Sequence, residues 1–443
     1  MKIKPTCGSI DPKNISIKRN TQIEPKTFPH QPATPYGAPP ATIENIAHLL
    51  DAFGIVARFN IITKKVEVLI PGHGGSVENA ANTAITHVQS LALRYGITTG
   101  AIPATLDLLA DQNPYNPVRT WIESKAWDGK DRLPAICATL VTAEDFPTAF
   151  RDVLVRKWLL SATAAAMLPD GFRCRGVLTL QGPQGLGKTS WGRNLVPASA
   201  LGAEVIRLDH HLDGNNKDSV LIAISHWIVE IGELESSFKR DVARLKGFLT
   251  QDTDKVRRPY AKEATEYRRR TVFFATVNSF DFLIDGTGNA RFWTLPLIDV
   301  NHDHGIDMQQ VFAQLAIEIQ AGEQWWLTDE EEQQLAKLNA RHRAFSPVLD
   351  LLQAYVDFDA PEAKRTEACT ATEILVAAGL ERPSNLQVKE GAALLREHLG
   401  PPKRIRGRDK YRFAKKPDDD ASNEVAYDPN SVDEYDEEKP KFC

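Results

Sequence analysis

The chain has 443 residues, of which 42% are hydrophobic and 25% charged, enough for more than one buried core. No apolar run approaches the ~20 residues that cross a bilayer, which argues against a membrane role. The formal net charge of −5 is unevenly spread: ten acidic residues and two lysines between Pro417 and Cys443 give −8, leaving about +3 on residues 1–416.

Residues 1–40 are rich in proline and lack apolar periodicity, so a disordered arm is expected there. Met1 to Thr27 contains no apolar stretch of a secretory leader, and the expected location is the cytoplasm. The five cysteines are widely separated, odd in number and without a Cys-x-x-Cys pair, as expected of reduced thiols.

A small α+β domain is predicted over 41–145. Ile43, Ile46, Ala47, Leu49 and Leu50 recur at helical spacing, and Ile55 to Ile70 reads as a hairpin turning at Lys64-Lys65. Helices over Ala84 to Tyr95 and Ala104 to Ala110 precede a turn at Asn113-Pro-Tyr-Asn-Pro117 and the segment Val118 to Ser124. Trp127-Asp-Gly-Lys-Asp-Arg132 has the composition of a capped loop.

The next domain, 146–300, carries the chemistry. An alanine-rich helix over Phe150 to Met167 leads to Gly176-Val-Leu-Thr-Leu-Gln181, a buried strand. It is followed at once by Gly182-Pro183-Gln184-Gly185-Leu186-Gly187-Lys188-Thr189 and a helix from Ser190. Strand, glycine-rich loop and helix in that order read as a P-loop for ATP. The glycines let the backbone curl its N–H groups toward phosphates, Lys188 supplies positive charge, and Thr189 offers a hydroxyl to Mg2+.

Such a loop needs an acid on a neighbouring strand. Trp227-Ile-Val-Glu-Ile-Gly-Glu-Leu-Glu235 supplies Glu230, assigned to magnesium and to the attacking water, with Glu233 as alternative or helper. A further strand, Arg270 to Asn278, ends in an amide placed to sense the outer phosphate. Gly182, Glu230 and Asn278 are spaced 48 and 48 residues apart.

This spacing resembles the superfamily-three helicases, a compact branch of the AAA-type ATPases. More narrowly, the chain resembles the virulence-associated protein E family of phages and prophages. The residues that carry the likeness are Asn116-Pro-Val-Arg-Thr-Trp121, Trp127 to Arg132, the P-loop, Trp227 to Leu234, Arg258-Pro-Tyr260 and Thr287-Gly-Asn-Ala-Arg-Phe-Trp293.

The resemblance implies an α/β fold with an AAA-type P-loop core and a parallel sheet. It implies a homo-oligomeric ring, with a hexamer expected, and DNA as partner. Arg291 is then the arginine finger acting on a neighbour's ATP, with Arg270 as second choice. The family often has two arginines before Phe-Trp, whereas here the pair is Ala290-Arg291. Related ring helicases place a basic hairpin between the second and third strands, which implies DNA contacts from Lys255, Arg257, Arg258, Tyr260 and Lys262 to single-stranded DNA in the pore.

A helical lid is expected over 301–345. Thr370 to Ala378, Leu386 to Leu399 and the basic run Lys403 to Arg412 read as helix, helix and hairpin, which suggests a winged-helix module over 346–416 that binds duplex phosphates. The acidic tail, 417–443, is expected to be disordered. The leading function is an ATP-driven DNA helicase for a phage or mobile element, in the cytoplasm of a bacterial host. An ATPase switch or loader, and a DNA-binding initiator or interference protein, are the alternatives.

Overall fold

The computed structural model describes residues 23–72, 79–197, 200–213, 216–232, 247–256, 264–279, 282–283, 289–342 and 347–416. The chain divides into two compact units, Met1–Arg343 and Ala344–Cys443.

Near the start, the Thr42 side chain caps helix α1 (Ile43–Ala52) by accepting from the Asn45 N–H, and Ile46, Leu49 and Leu50 are buried on its inner face. The expected hairpin forms from β1 (Val56–Asn60) and β2 (Lys65–Leu69). Helices α2 (Ala80–Arg94) and α3 (Ile102–Asp111) follow, and the proline turn contributes β3 (Pro114–Tyr115), parallel to β1. These elements share a core of their own, which includes Ile23 and Phe28.

The disordered arm expected over 1–40 is therefore corrected from Ile23 onward. Phe28 lies edge-on to His48 and Tyr95, with ring centroids 5.4 and 5.8 Å away, and the Asn45 amide donates to the His30 and Pro40 carbonyls. Two apolar side chains and one buried amide suffice to fix a proline-rich segment that has no periodicity to betray it.

From Val118 the chain enters a second, larger core. Helix α4 (Pro117–Ile122) is followed by α5 (Leu133–Ala138) and β4 (Leu140–Thr142), so the boundary expected near 145 moves back to about residue 117. The Trp127 to Arg132 string is a capped loop. Asp128 makes two 2.7 Å contacts with the Arg132 guanidinium, which holds its carboxyl well below the usual carboxylate range, and its N–H donates to Gln310.

Helix α6 (Thr148–Met167) is buried at every residue from Lys157 to Met167, as befits a helix enclosed on all sides. It backs a six-stranded sheet built from β4, β5 (Val177–Gln181), β6 (Ile206–His210), β7 (Ile228–Ile231), β10 (Val272–Val277) and β11 (Phe292–Val300). The order is β4-β11-β5-β10-β7-β6; all but β4 run parallel. Helices α7 (Lys188–Arg193), α8 (Ala200–Val205) and α9 (Lys217–Ile224) connect its strands. Trp158 and Trp227 lock helix to sheet through indole hydrogen bonds to the Phe273 and Ala162 carbonyls.

Between β7 and β10 stands a separate hairpin, β8 (Thr253–Val256) against β9 (Thr265–Arg268). Helices α10 (Met308–Gln320) and α11 (Asp329–Asn339) complete the unit; α10 is largely buried in the same large core, whereas α11 is mostly exposed and enters it through Leu335.

The second unit runs α12 (Pro347–Tyr355), β12 (Val356–Asp357), β13 (Glu367–Cys369), α13 (Ala371–Ala377), α14 (Asn385–Leu399), β14 (Lys403–Ile405) and β15 (Arg408–Lys415). Capping boxes at Thr370/Glu373 and Ser384/Gln387 start α13 and α14. Strand β15 pairs antiparallel with β12, β13 and β14, and buries Tyr411 and Phe413 against Leu352, Ile374 and Leu395. Arg404, Arg406, Arg408 and Arg412 remain exposed along the β14–β15 hairpin. No described helix is long and apolar enough to cross a membrane.

Candidate functional site

At the C-terminal ends of β5, β7 and β10 lies a cavity of about 990 Å³, lined by Gln184 to Ser190, Asp209, Glu230, Gly232 and Thr276 to Ser279. Crevices at this end of an open parallel sheet are where such folds bind ligands. The glycine-rich loop leaves β5 at Gly182 and enters α7 at Lys188, two residues earlier than the helix expected from Ser190. Gly187 has a φ of 89°, and a Cβ there would fall 2.4 Å from the His302 ring, so only glycine fits.

Lys188 is buried, 6% exposed, and its ammonium is folded back into the loop. It donates to the Gly182 carbonyl at 2.6 Å, the Pro183 carbonyl at 2.8 Å and the Asn278 Oδ1 at 3.1 Å. Burial pulls its pKa below the ordinary lysine value, and the Glu230 carboxylate works against that shift. Asn278 thus reaches the loop from the end of β10, which lies beside β5 with Val277 opposite Gln181.

Glu230 is 1% exposed in the middle of β7 and accepts three hydrogen bonds. Its Oε1 receives the hydroxyls of Thr189 at 2.5 Å and Thr276 at 3.0 Å, and its Oε2 receives the Asp209 N–H at 3.0 Å. Of the residues expected from sequence, Lys188, Thr189, Glu230 and Asn278 therefore meet in one place. Pro183 and Ser190 belong to the same loop and helix turn, while Glu233 lies outside the described residues.

Arg291 does not join them. It ends a short 3-10 turn just before β11, and Phe292 stands opposite Val177 at the start of β5. Five residues of strand, roughly 15 Å, separate that level from the glycine-rich loop. Arg270, the second choice for the same role, is corrected: it is buried and donates to the carbonyls of Ala165, Leu168 and Pro169 at the end of α6. A guanidinium spent on capping helix carbonyls is not available to a neighbour's phosphate.

Lys255 is exposed on β8 opposite Glu266, in the stem of the β8–β9 hairpin. Arg257, Arg258, Tyr260 and Lys262 lie outside the described residues. At the hairpin's base, Asp254 and Arg269 form a buried ion pair, 2% and 0% exposed, with contacts of 2.5 and 2.6 Å.

Among the residues that escaped the sequence reading are Thr276 and Asp209, which line the cavity, and His302, whose ring lies against Gly187. Thr276 was inside a strand already recognised. Asp209 belongs to β6, whose Ile-Arg-Leu-Asp-His composition offers no continuous apolar run. His302 follows β11, whose Pro296 speaks against a strand.

A family model described as the virulence-associated protein E-like domain matches residues 122–344, half of the chain. The chain belongs to this family. All the residues that line the cavity fall within the virulence-associated protein E-like domain, whereas the N-terminal core and most of the second unit lie outside it. Among solved structures, the A form apo structure of the NrS-1 C-terminal region is 14% identical, covering 83% of this chain and 98% of that one, with a TM-score of 0.39. A further apo structure of the same region is 13% identical, covering 84% and 98%, with a TM-score of 0.40. No curated protein matches the chain.

Proposed function

We propose that this chain is an ATP hydrolase with an AAA-type P-loop core, acting as a DNA helicase in the replication of a phage or mobile element. The convergence of Lys188, Thr189, Glu230 and Asn278 from three separate segments on one cavity carries this reading. Two features of the sheet support it further: the glycine-rich loop follows the central strand β5, and the acid lies on β7, with β10 between them.

On this reading the Lys188 ammonium exchanges its carbonyl partners for the outer phosphates of ATP. Glu230 accepts a proton from the attacking water, and the Asn278 amide orients that water toward the outer phosphate. The donors that would hold Mg2+ are the Thr189 hydroxyl and a Glu230 carboxylate oxygen, a set without His or Cys that suits a hard cation. Bound there, the cation neutralises charge on the phosphates.

Arg291, at the opposite end of the strands, serves the ATP of the next subunit in a homo-oligomeric ring, a hexamer in the family's pattern. Lys255, together with Arg257, Arg258, Tyr260 and Lys262, contacts single-stranded DNA in the pore. The second unit, with its helix-strand-helix-helix-hairpin order and exposed arginines, acts as a winged helix on duplex DNA. The work is done in the cytoplasm of the host.

The test is ATP turnover with and without single-stranded DNA, paired with strand separation on a forked duplex and mass in solution with a non-hydrolysable nucleotide. Stimulated turnover with strand separation is expected. Stimulated turnover without separation makes the protein a switch or loader, and absence of ATP turnover overturns the reading.

A further inference from the structure

Two tasks at an ATP site call for negative charge: holding the hydrated cation and accepting a proton from water. Glu230 sits at the floor of the cavity, nearly inaccessible, with both oxygens occupied by donors from Thr189, Thr276 and the Asp209 backbone. The next residue, Ile231, is apolar and buried, so β7 offers no adjacent second acid. Among the described lining residues the other carboxylate is Asp209.

The placement of Asp209 is unusual for a strand residue. Arg207 stands opposite Val229 and His210 opposite Ile231, so Leu208 and Asp209 together occupy the place across from Glu230. This is a bulge in a parallel pair, an arrangement that re-aims a side chain. Asp209 has a φ of 49°; among the described residues the other non-glycine residues with positive φ, Lys64 and Arg406, lie in hairpin turns. The ring of His210 is buried against Ser219 of α9, which fixes the end of β6. Gly232 completes the seat, since a Cβ there would fall 2.1 Å from Asp209 Oδ1. Its backbone φ is ordinary, so space for the carboxylate is what glycine provides.

We infer that Asp209 is a second acidic residue of the nucleotide pocket, accepting from metal-bound water and so holding the hydrated Mg2+ together with Thr189 and Glu230. An exposed carboxylate at the rim fits the outer shell of a cation that sheds its water reluctantly. This inference rests on the reading of the cavity as an ATP site.

The experiment titrates ATP binding by calorimetry, with EDTA and at rising Mg2+, for the full chain and its Asp209→Asn, Asp209→Gly and Gly232→Ala variants. Asn and Gly both accept a left-handed backbone, so the bulge and the N–H to Glu230 survive. For the Asp209 variants the half-saturating Mg2+ should rise tenfold or more, while metal-free ATP binds as well as or better than to wild type, because a charge facing the phosphates is gone. Gly232→Ala should raise the Mg2+ requirement with Asp209 intact, and Asp209→Gly in that background should add nothing further. An unchanged Mg2+ requirement in both Asp209 variants overturns the inference, as does weaker binding with and without Mg2+, which marks structural damage. If wild type binds no ATP in either condition, the ATP site itself is refuted and the inference falls with it.

Discussion

The Thr189 hydroxyl and the Glu230 carboxylate are joined by a 2.5 Å hydrogen bond that spans from the first turn of α7 to the middle of β7. The same oxygen takes the Thr276 hydroxyl, and the other faces the Asp209 N–H. Glu230→Gln keeps one acceptor oxygen for the two threonines but turns an NH2 toward the Asp209 N–H, donor against donor. The variant should bind ATP, lose about 10²-fold or more in turnover, and unfold about 1–3 kcal/mol more easily. Nucleotide binding, hydrolysis rate and urea denaturation measure the three effects separately.

Lys188→Ala should abolish ATP binding while leaving the fold intact, since the ammonium's partners are loop carbonyls and one amide rather than core groups. Burial lowers the pKa of this lysine from its ordinary 10.5, so the charged form is lost at lower pH than in a free lysine. ATP affinity should accordingly decline on the alkaline side before pH 10.5 is reached. The unfolded chain binds the extra proton in that window, so deprotonation of Lys188 favours the folded state as pH rises. Affinity titrations across the alkaline range, beside circular dichroism of the Ala variant, provide the check.

Asp254→Ala leaves the Arg269 guanidinium buried without its carboxylate, between the rings of Phe248 and Phe273 at 4.5 and 5.5 Å. Removal of one partner from such a pair costs about 3–5 kcal/mol. The expected result is a clear fall in the urea midpoint. Replacing both residues with apolar ones of similar volume should recover much of the loss.

Cys137 and Cys174 are held as thiols: burial pushes Cys137 up to about 12 and Cys174 up to about 11. At pH 8 both should resist iodoacetamide in the folded protein and react fully in denaturant, as mass spectrometry of the labelled peptides will show. Above the ordinary thiol value of 9.0 the unfolded chain releases protons that the folded chain keeps, so these two groups make stability fall between pH 9.0 and their raised values.

Arg291→Ala should bind ATP and fail to hydrolyse it alone. Mixed with Glu230→Gln protein, it should regain part of the activity, because some interfaces then combine an intact Glu230 with an intact Arg291. Labelled subunits confirm exchange; exchange without recovery would falsify action in trans. Separately purified variants and their mixture are compared at one total concentration.

The glycine-rich loop, its acid and its amide were legible because each sits at the end of a short apolar run, and the loop string itself reads as a phosphate cradle. The neighbouring β6 was not, since its alternate residues are charged or half-exposed and its bulge breaks the period-two pattern. Asp209 became visible only through φ and the space at Gly232, neither of which is written in residue type. The ordered stretch from Ile23 to Pro40 was hidden for a related reason: Phe28 and Asn45 hold it by long-range contacts, and proline content by itself pointed to disorder.

The buried Asp254–Arg269 pair gains a mechanical meaning from where it stands. Arg269 precedes β10 by three residues and Asn278 follows it by one, so a single stretch of chain touches the hairpin base at one end and Lys188 at the other. Its nine steps span roughly 30 Å of nearly inextensible backbone. Paired on both sides with β5 and β7, that stretch fixes the distance between the hairpin base and the Lys188–Asn278 contact.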